Sequence, residues 1–235
     1  MRRLMLLLAC AGALATTAFA GVLPALGDGE HSDAGPRADG TPPTCPAPAA
    51  APARFGLDGR RDGATGATGA SGSDEGDAPD NLSGQGGDDH LDGHGGNDHL
   101  RGGEGDDDLC GDQGDDRLEG GPGRDALSGG PGADDLNGDQ GDDELAGGPG
   151  NDDLNGGPGN DDLQGQAGND IVAGGPGNDL LSGGPGKDKV SGGPGKDTIN
   201  VRGGGRDTVT CGTGTDTVVA DASDKVAANC EHVRR

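Results

Sequence analysis

Aromatic side chains are nearly missing from this chain: two Phe, no Tyr and no Trp in 235 residues. A globular domain of that length builds its core from aromatic and branched residues, so a conventional core is excluded. Basic residues are also scarce, 17 Lys and Arg against 42 Asp and Glu, for a net charge of −25. Nucleic acid and anionic membrane surfaces are poor partners for such a chain, whereas cations suit it. No segment is a convincing membrane span, because the one apolar run, Leu4 to Ala20, is short and rich in Ala. His-Glu-x-x-His, Gly-x-Ser-x-Gly and a phosphate-binding loop are all lacking, as is a Cys/His pair on a separate catalytic domain. A non-enzymatic protein is therefore expected. The alternative is the repeat subunit of a secreted enzyme or toxin whose catalytic part lies elsewhere.

Glycine is abundant, with 54 residues. It does not hold every third place as a collagen triple helix requires. Instead an aliphatic residue returns every nine residues: Leu82, Leu91, Leu100, Leu109, Leu118, Leu127, Leu136, Leu145, Leu154, Leu163, Val172, Leu181, Val190 and Ile199. An Asp stands two residues before each, and a Gly four before, with Ala78 the one exception. Low hydrophobicity with high charge ordinarily means disorder, but disorder needs no register, and a fixed period marks a repeat architecture. A disordered acidic polymer that buffers cations stays as the competing reading. In a unit numbered one to nine, Gly takes places one and four and usually two, Asp takes six and the aliphatic takes eight. Pro followed by Gly at places three and four suits a type II turn, with the positive φ on the Gly of place four. Places seven to nine then form a very short strand whose middle side chain points inward. Two units per coil give two parallel sheets face to face, about seven coils in all. The expected fold is all-β, a parallel β-roll.

Along the chain, residues 1–20 read as a signal peptide: Arg2 and Arg3, an apolar run, then Ala18-Phe19-Ala20 as a cleavage site. A lipoprotein signal acylated at Cys10 is the lesser alternative. Residues 21–74 read as a disordered linker rich in Ala, Pro and Gly. The repeats occupy 75–218, the first of them degenerate. After Ile199 the register slips, Val209 following ten residues later, and Arg202 and Cys211 stand where place one is due. Residues 219–235 leave the repeat and read as a C-terminal cap over an open sheet edge.

Asp carboxylates and turn carbonyls are hard oxygen donors, which suits Ca²⁺ better than Mg²⁺, and zinc would call for Cys or His. Gly-Gly-Pro-Gly-Asn-Asp-Asp-Leu-Asn (147–155) resembles the repeats-in-toxin, or haemolysin-type, calcium-binding nonapeptide, and the likeness recurs over about 135 residues. The resemblance implies multiple Ca²⁺ ions held between coils by the Asp at place six, with turn carbonyls between: Asp89, Asp98, Asp107, Asp116, Asp125, Asp134, Asp143, Asp152, Asp161, Asp170, Asp179, Asp188 and Asp197. The complete glycine turns that serve them begin at Gly102, Gly120, Gly129, Gly147, Gly156, Gly174, Gly183 and Gly192. Asp207 and Asp216 are set aside because their turns have lost glycine. Arg124, Ala133, Lys187, Lys196 and Arg206 at place five imply weaker binding nearby and a softer C-terminal end. Family members that are proteases, lipases or pore formers carry further domains that this chain shows no sign of.

Cys211 and Cys230 flank the terminal segment, and tails ending in Asn-Cys-Glu recur in secreted repeat proteins of this kind, which favours a disulfide between them. Cys110, at the outward place nine, is left to pair with Cys45 or stay free. His90 and His99 share place seven and could border a zinc ion; polar, outward residues are the expected reading. Taken together, a secreted, extracellular calcium-binding protein is expected, with calcium ions as partners, no nucleic acid and an unknown cell-surface partner.

Overall fold

A computed structural model of the chain describes residues 66–67, 71–73 and 78–235. The expected signal peptide and most of the expected linker, with Cys10 and Cys45, lie outside them. Among the described residues there is no helix; no helix is long and apolar enough to cross a membrane.

Among the described residues twenty short strands alternate between two sheets. In chain order they are β1 (Gly66–Ala67), β2 (Ser71–Ser73), β3 (Asn81–Gly86), β4 (His90–Asp92), β5 (His99–Glu104), β6 (Asp108–Cys110), β7 (Arg117–Pro122), β8 (Ala126–Ser128), β9 (Asp135–Gln140) and β10 (Glu144–Pro149). There follow β11 (Asp153–Asn155), β12 (Asp162–Ala167), β13 (Ile171–Ala173), β14 (Leu180–Ser182), β15 (Lys189–Gly195), β16 (Thr198–Val201), β17 (Thr208–Gly214), β18 (Thr217–Ala220), β19 (Lys225–Val226) and β20 (His232–Arg234). Odd-numbered strands make one ten-stranded sheet and even-numbered strands the other. Every pairing is parallel, each strand bonding to the equivalent one a coil earlier, as in Leu145↔Leu163 and Leu154↔Val172. The architecture is the expected β-roll, extended to about nine turns rather than seven.

The strands form because the repeat offers one inward aliphatic between two outward neighbours, the alternation that a half-buried strand requires. Place eight is buried throughout, from Leu82 to Val218, giving two columns of side chains that meet between the sheets. The extra strands at the N-terminal end arise because β1 pairs with β3 and β2 with β4, so coiling begins inside the span expected to be linker. At the other end the tail does not leave the repeat. Lys225–Val226 adds to one sheet and His232–Arg234 to the other. Val226 is partly buried against the core, and Val233 is left 40% exposed at the last strand.

Two local expectations are corrected. Place two takes a left-handed backbone in the units from Gly84 to Gly192, with φ from 64° at His94 to 121° at Gly103, whereas the Gly after Pro is nearly extended, 157° at Gly123 and 158° at Gly195; place-four Gly is left-handed only where no Pro precedes it, as at Gly87 (98°) and Gly96 (127°). Place four is Gly for another reason. A Cβ on Gly150 would overlap the carbonyl oxygen of Gly132 one coil back, so turns stack too closely for any side chain. The register slip after Ile199 is also absorbed differently. Val201, paired with Ala220 and fully buried, fills place one, and the additional residue bulges into the exposed segment from Arg202 to Gly204.

The column predicts sharply position-dependent stability. In calcium-saturated protein, Leu145→Ala should cost about 2–5 kcal/mol and Ile171→Ala, at a 41% exposed site, under about 0.5 kcal/mol, read by chemical denaturation. Equal losses at the two positions would mean that the aliphatic column is not the core.

Candidate metal-binding turns

The edges of the roll are built from the turns, and the Asp at place six is drawn into them. Asp89, Asp98, Asp107, Asp116, Asp125, Asp134, Asp143, Asp152, Asp161, Asp170, Asp179, Asp188 and Asp197 are all buried, none more than 3% exposed. One carboxylate oxygen of each reaches back one coil: Asp143 N–H donates to Asp161 Oδ1 at 2.9 Å, and Asp161 N–H to Asp179 Oδ1 at 3.1 Å. These bonds tie coil to coil along both edges. From Asp107 to Asp216, Oδ2 of every place-six Asp is buried without a hydrogen bond. A buried carboxylate oxygen left bare is costly, and a regular series of them calls for an explanation.

The surroundings supply one. Place-one Gly makes room for the bare oxygen: a Cβ on Gly138 would lie 2.5 Å from Asp143 Oδ2 and 2.7 Å from the carbonyl oxygen of Gly156 in the next coil. Gly165 is flanked in the same way, 2.7 Å from both Asp170 Oδ2 and the Gly183 carbonyl oxygen. A charged oxygen and a carbonyl oxygen thus converge with no donor hydrogen between them. That is the donor set of a hard cation such as Ca²⁺, which takes six to eight oxygens in flexible geometry.

The electrostatics agree. Without a cation, burial pushes the carboxyl of Asp125 up to about 8, those of Asp134, Asp161 and Asp179 to about 7, and those of Asp107, Asp143, Asp152 and Asp188 to about 6. The N–H from the preceding coil opposes the rise, and neighbouring aspartates add to it at most of these sites. A divalent ion beside the bare oxygens would reverse the effect.

A family model described as the RTX calcium-binding nonapeptide repeat matches residues 76–109, 111–145, 146–181, 164–199 and 182–218. The chain belongs to this family. No curated protein matches it.

Against the RTX pattern, the last coils hold more than their sequence suggests. Asp207 and Asp216, set aside for their lost glycines, are fully buried and accept from Asp188 and Asp197 N–H at 2.9 Å each. Asp224 and Glu231 continue the series, accepting from Asp207 N–H at 3.2 Å and Asp216 N–H at 2.9 Å. Sequence reading missed these two, although an acid two residues before Val226 and Val233 was the signal. Place five carries a second ladder of opposite sense: Asn160 N–H donates back one coil to Asp142 Oδ1 at 2.7 Å, and Asn178 N–H to Asn160 Oδ1 at 3.0 Å. Arg124, Ala133, Lys187 and Lys196 have no oxygen to offer there, so this ladder breaks at the first two and stops at the last two.

Cys211 and Cys230 are disulfide-bonded, with Cα atoms 5.2 Å apart, pinning the final coil. Cys110 is buried rather than outward and is also disulfide-bonded. Cys45, the partner considered for it, falls outside the described residues. His90 and His99 do not neighbour each other but lie on opposite sheets, in β4 and β5. His90 meets Asp108 at 3.2 Å, and His99 lies 3.5 Å from Glu119, which Arg101 and Arg117 also engage.

The raised carboxyl values fix a pH dependence. An unfolded Asp titrates near 3.9 and these titrate at about 6 to 8 when folded, so in the metal-free chain ionisation favours unfolding. That penalty is absent below about pH 4 and grows until pH passes the folded values. Chelated protein should therefore show more β signal by circular dichroism at pH 5 than at pH 8. An unchanged signal between the two would show that these carboxylates are not buried as charged groups.

Proposed function

We propose that this RTX chain is a secreted calcium-binding protein whose roll is assembled by the ions it takes up outside the cell, with a structural, adhesive or cell-surface role and no catalysis of its own. The observation that carries this reading is the repeated bare Oδ2 beside a glycine carbonyl oxygen of the next coil. Asp107 through Asp216 at place six would each supply a carboxylate oxygen, and place-one carbonyls such as those of Gly156, Gly174 and Gly183 would complete the oxygen shell from the adjacent coil. The ion would neutralise the buried charge and join successive turns. The formal charge of −25 supports uptake of many ions, on the order of ten, each carrying two charges.

Folding on export follows from the same chemistry. Where calcium is scarce, as in cytosol, the buried carboxylates oppose the coil. Near-millimolar calcium outside matches the weaker class of extracellular calcium modules. The basic start and Ala18-Phe19-Ala20 support export by an N-terminal signal.

Calcium titration of the full chain tests the reading. Circular dichroism at pH 7.5 should show a cooperative gain of β signal with Ca²⁺, and a much weaker response to Mg²⁺ at equal concentration. Asp152→Ala should remove about one ion from the calorimetric stoichiometry and shift the folding midpoint to higher calcium. A flat response to calcium, or full stoichiometry in the variant, overturns the assignment.

A further inference from the structure

One group of side chains on the turns is not used by the place-six series. Asp92 ends β4, and His94 and Asp112 each occupy place two of a turn on the same edge, one coil apart. His94 Nδ1 lies 3.2 Å from Asp92 Oδ1 and 4.0 Å from Asp112 Oδ2. One ligand atom from each of the three falls within 4.8 Å of the others.

The group is held in place. His94 N–H donates to Asp92 Oδ1 at 3.1 Å, and Gln113 N–H donates to the His94 carbonyl at 2.9 Å. The side chains of Asp92, His94 and Asp112 are 17%, 25% and 33% exposed, so they are mostly packed yet reachable by an ion. Both His94, at φ 64°, and Asp112, at φ 66°, adopt the left-handed backbone that glycine takes in most units at this place. Gln85, Asp139 and Gln166 are the other exceptions, but only His94 and Asp112 follow one another along one edge. Among the described residues no Lys or Arg forms an ion pair with Asp92 or Asp112. The histidine–carboxylate pair at His99 and Glu119 differs here, because two guanidinium groups already neutralise Glu119.

Imidazole nitrogen is a poor ligand for Ca²⁺ or Mg²⁺ and a good one for zinc and its first-row neighbours, while carboxylates serve both classes. In a tetrahedral zinc site with bonds of about 2.0–2.2 Å, ligand atoms stand roughly 3.3–3.5 Å apart. Asp92 and His94, at 3.2 Å, are close to that spacing, and binding would draw in Asp112 from 4.0 Å. We propose that Asp92, His94 and Asp112 form a transition-metal site of the zinc class, distinct from the place-six carboxylates, with water in the fourth position. Neutral His94 binds through Nδ1 and keeps its proton on Nε2. The site bridges two successive coils near the N-terminal end of the roll, where it cross-links them.

The test uses the full chain, free of any affinity tag and saturated with calcium. Zn²⁺ is titrated in competition with a chromophoric chelator, and Co²⁺ is added separately to read visible absorption. One Zn²⁺ per chain at micromolar or tighter affinity, with the intense absorption of four-coordinate Co²⁺, is expected. His94→Gly removes the ligand while restoring the residue usual at place two. It should weaken Zn²⁺ by on the order of tenfold or more, leaving calcium-induced folding intact. Asp112→Gly should do the same, and His99→Ala should change nothing. No saturable Zn²⁺ binding to the calcium-loaded chain overturns the proposal. So does binding that survives His94→Gly and disappears in His90→Ala, which would place the ion at His90 and Asp108. Because every arm is run with calcium bound, loss of zinc is read apart from loss of the fold.

Discussion

A carboxylate buried between two turns governs this protein. One of its oxygens takes a backbone N–H from the coil before, and the other is left beside a carbonyl of the coil after. The first interaction specifies how neighbouring coils align. The second sets a condition on that alignment, because an ionised oxygen in such a place is poorly tolerated alone. Placement of the glycines follows from this group. In the inner coils place one is Gly, which leaves room for the oxygen, and place four is Gly because turns carrying such groups stack backbone to backbone. The single aliphatic per unit fills the space between sheets, too little apolar surface to explain order without help from the edges.

This arrangement links stability to the surroundings in a way that an aliphatic core cannot. Either a proton or a hard cation would relieve the same buried charge, so acidity and cations would act on one series of groups. The two polar ladders differ in this respect. At place five, neutral Asn residues such as Asn151, Asn160 and Asn169 satisfy backbone donors without any cation. Where place five does carry Asp, as at Asp106, Asp115 and Asp142, the side chain is exposed, whereas the place-six ladder buries its charge.

The ends depart from the repeat where physical demands change. Val201, Cys211 and Ala220 replace place-one glycine in the last coils, burying apolar atoms where inner units keep only backbone. A disulfide from Cys211 to Cys230 ties the last turn to the stack, and Asp224 and Glu231 close the two rows of accepted N–H groups. A terminal coil has a neighbour on one side only, so covalent and apolar ties compensate for the missing half of its interactions.

Much of this was legible in the chain itself. Period nine, with Asp two residues before each aliphatic, determined the β-roll, its inward column and the identity of the place-six acids, since a strict spacing leaves only one way to superimpose units. Tertiary structure alone decided what depends on atoms eighteen residues apart. It put a left-handed backbone at place two, revealed the bare oxygen of the place-six Asp residues from Asp107 to Asp216, returned Asp207 and Asp216 to the series, and drew the tail back into both sheets. It also brought Asp92, His94 and Asp112 together. Residues of one coil and the next become neighbours only after the turns have stacked, and no spacing read along a single unit carries that information.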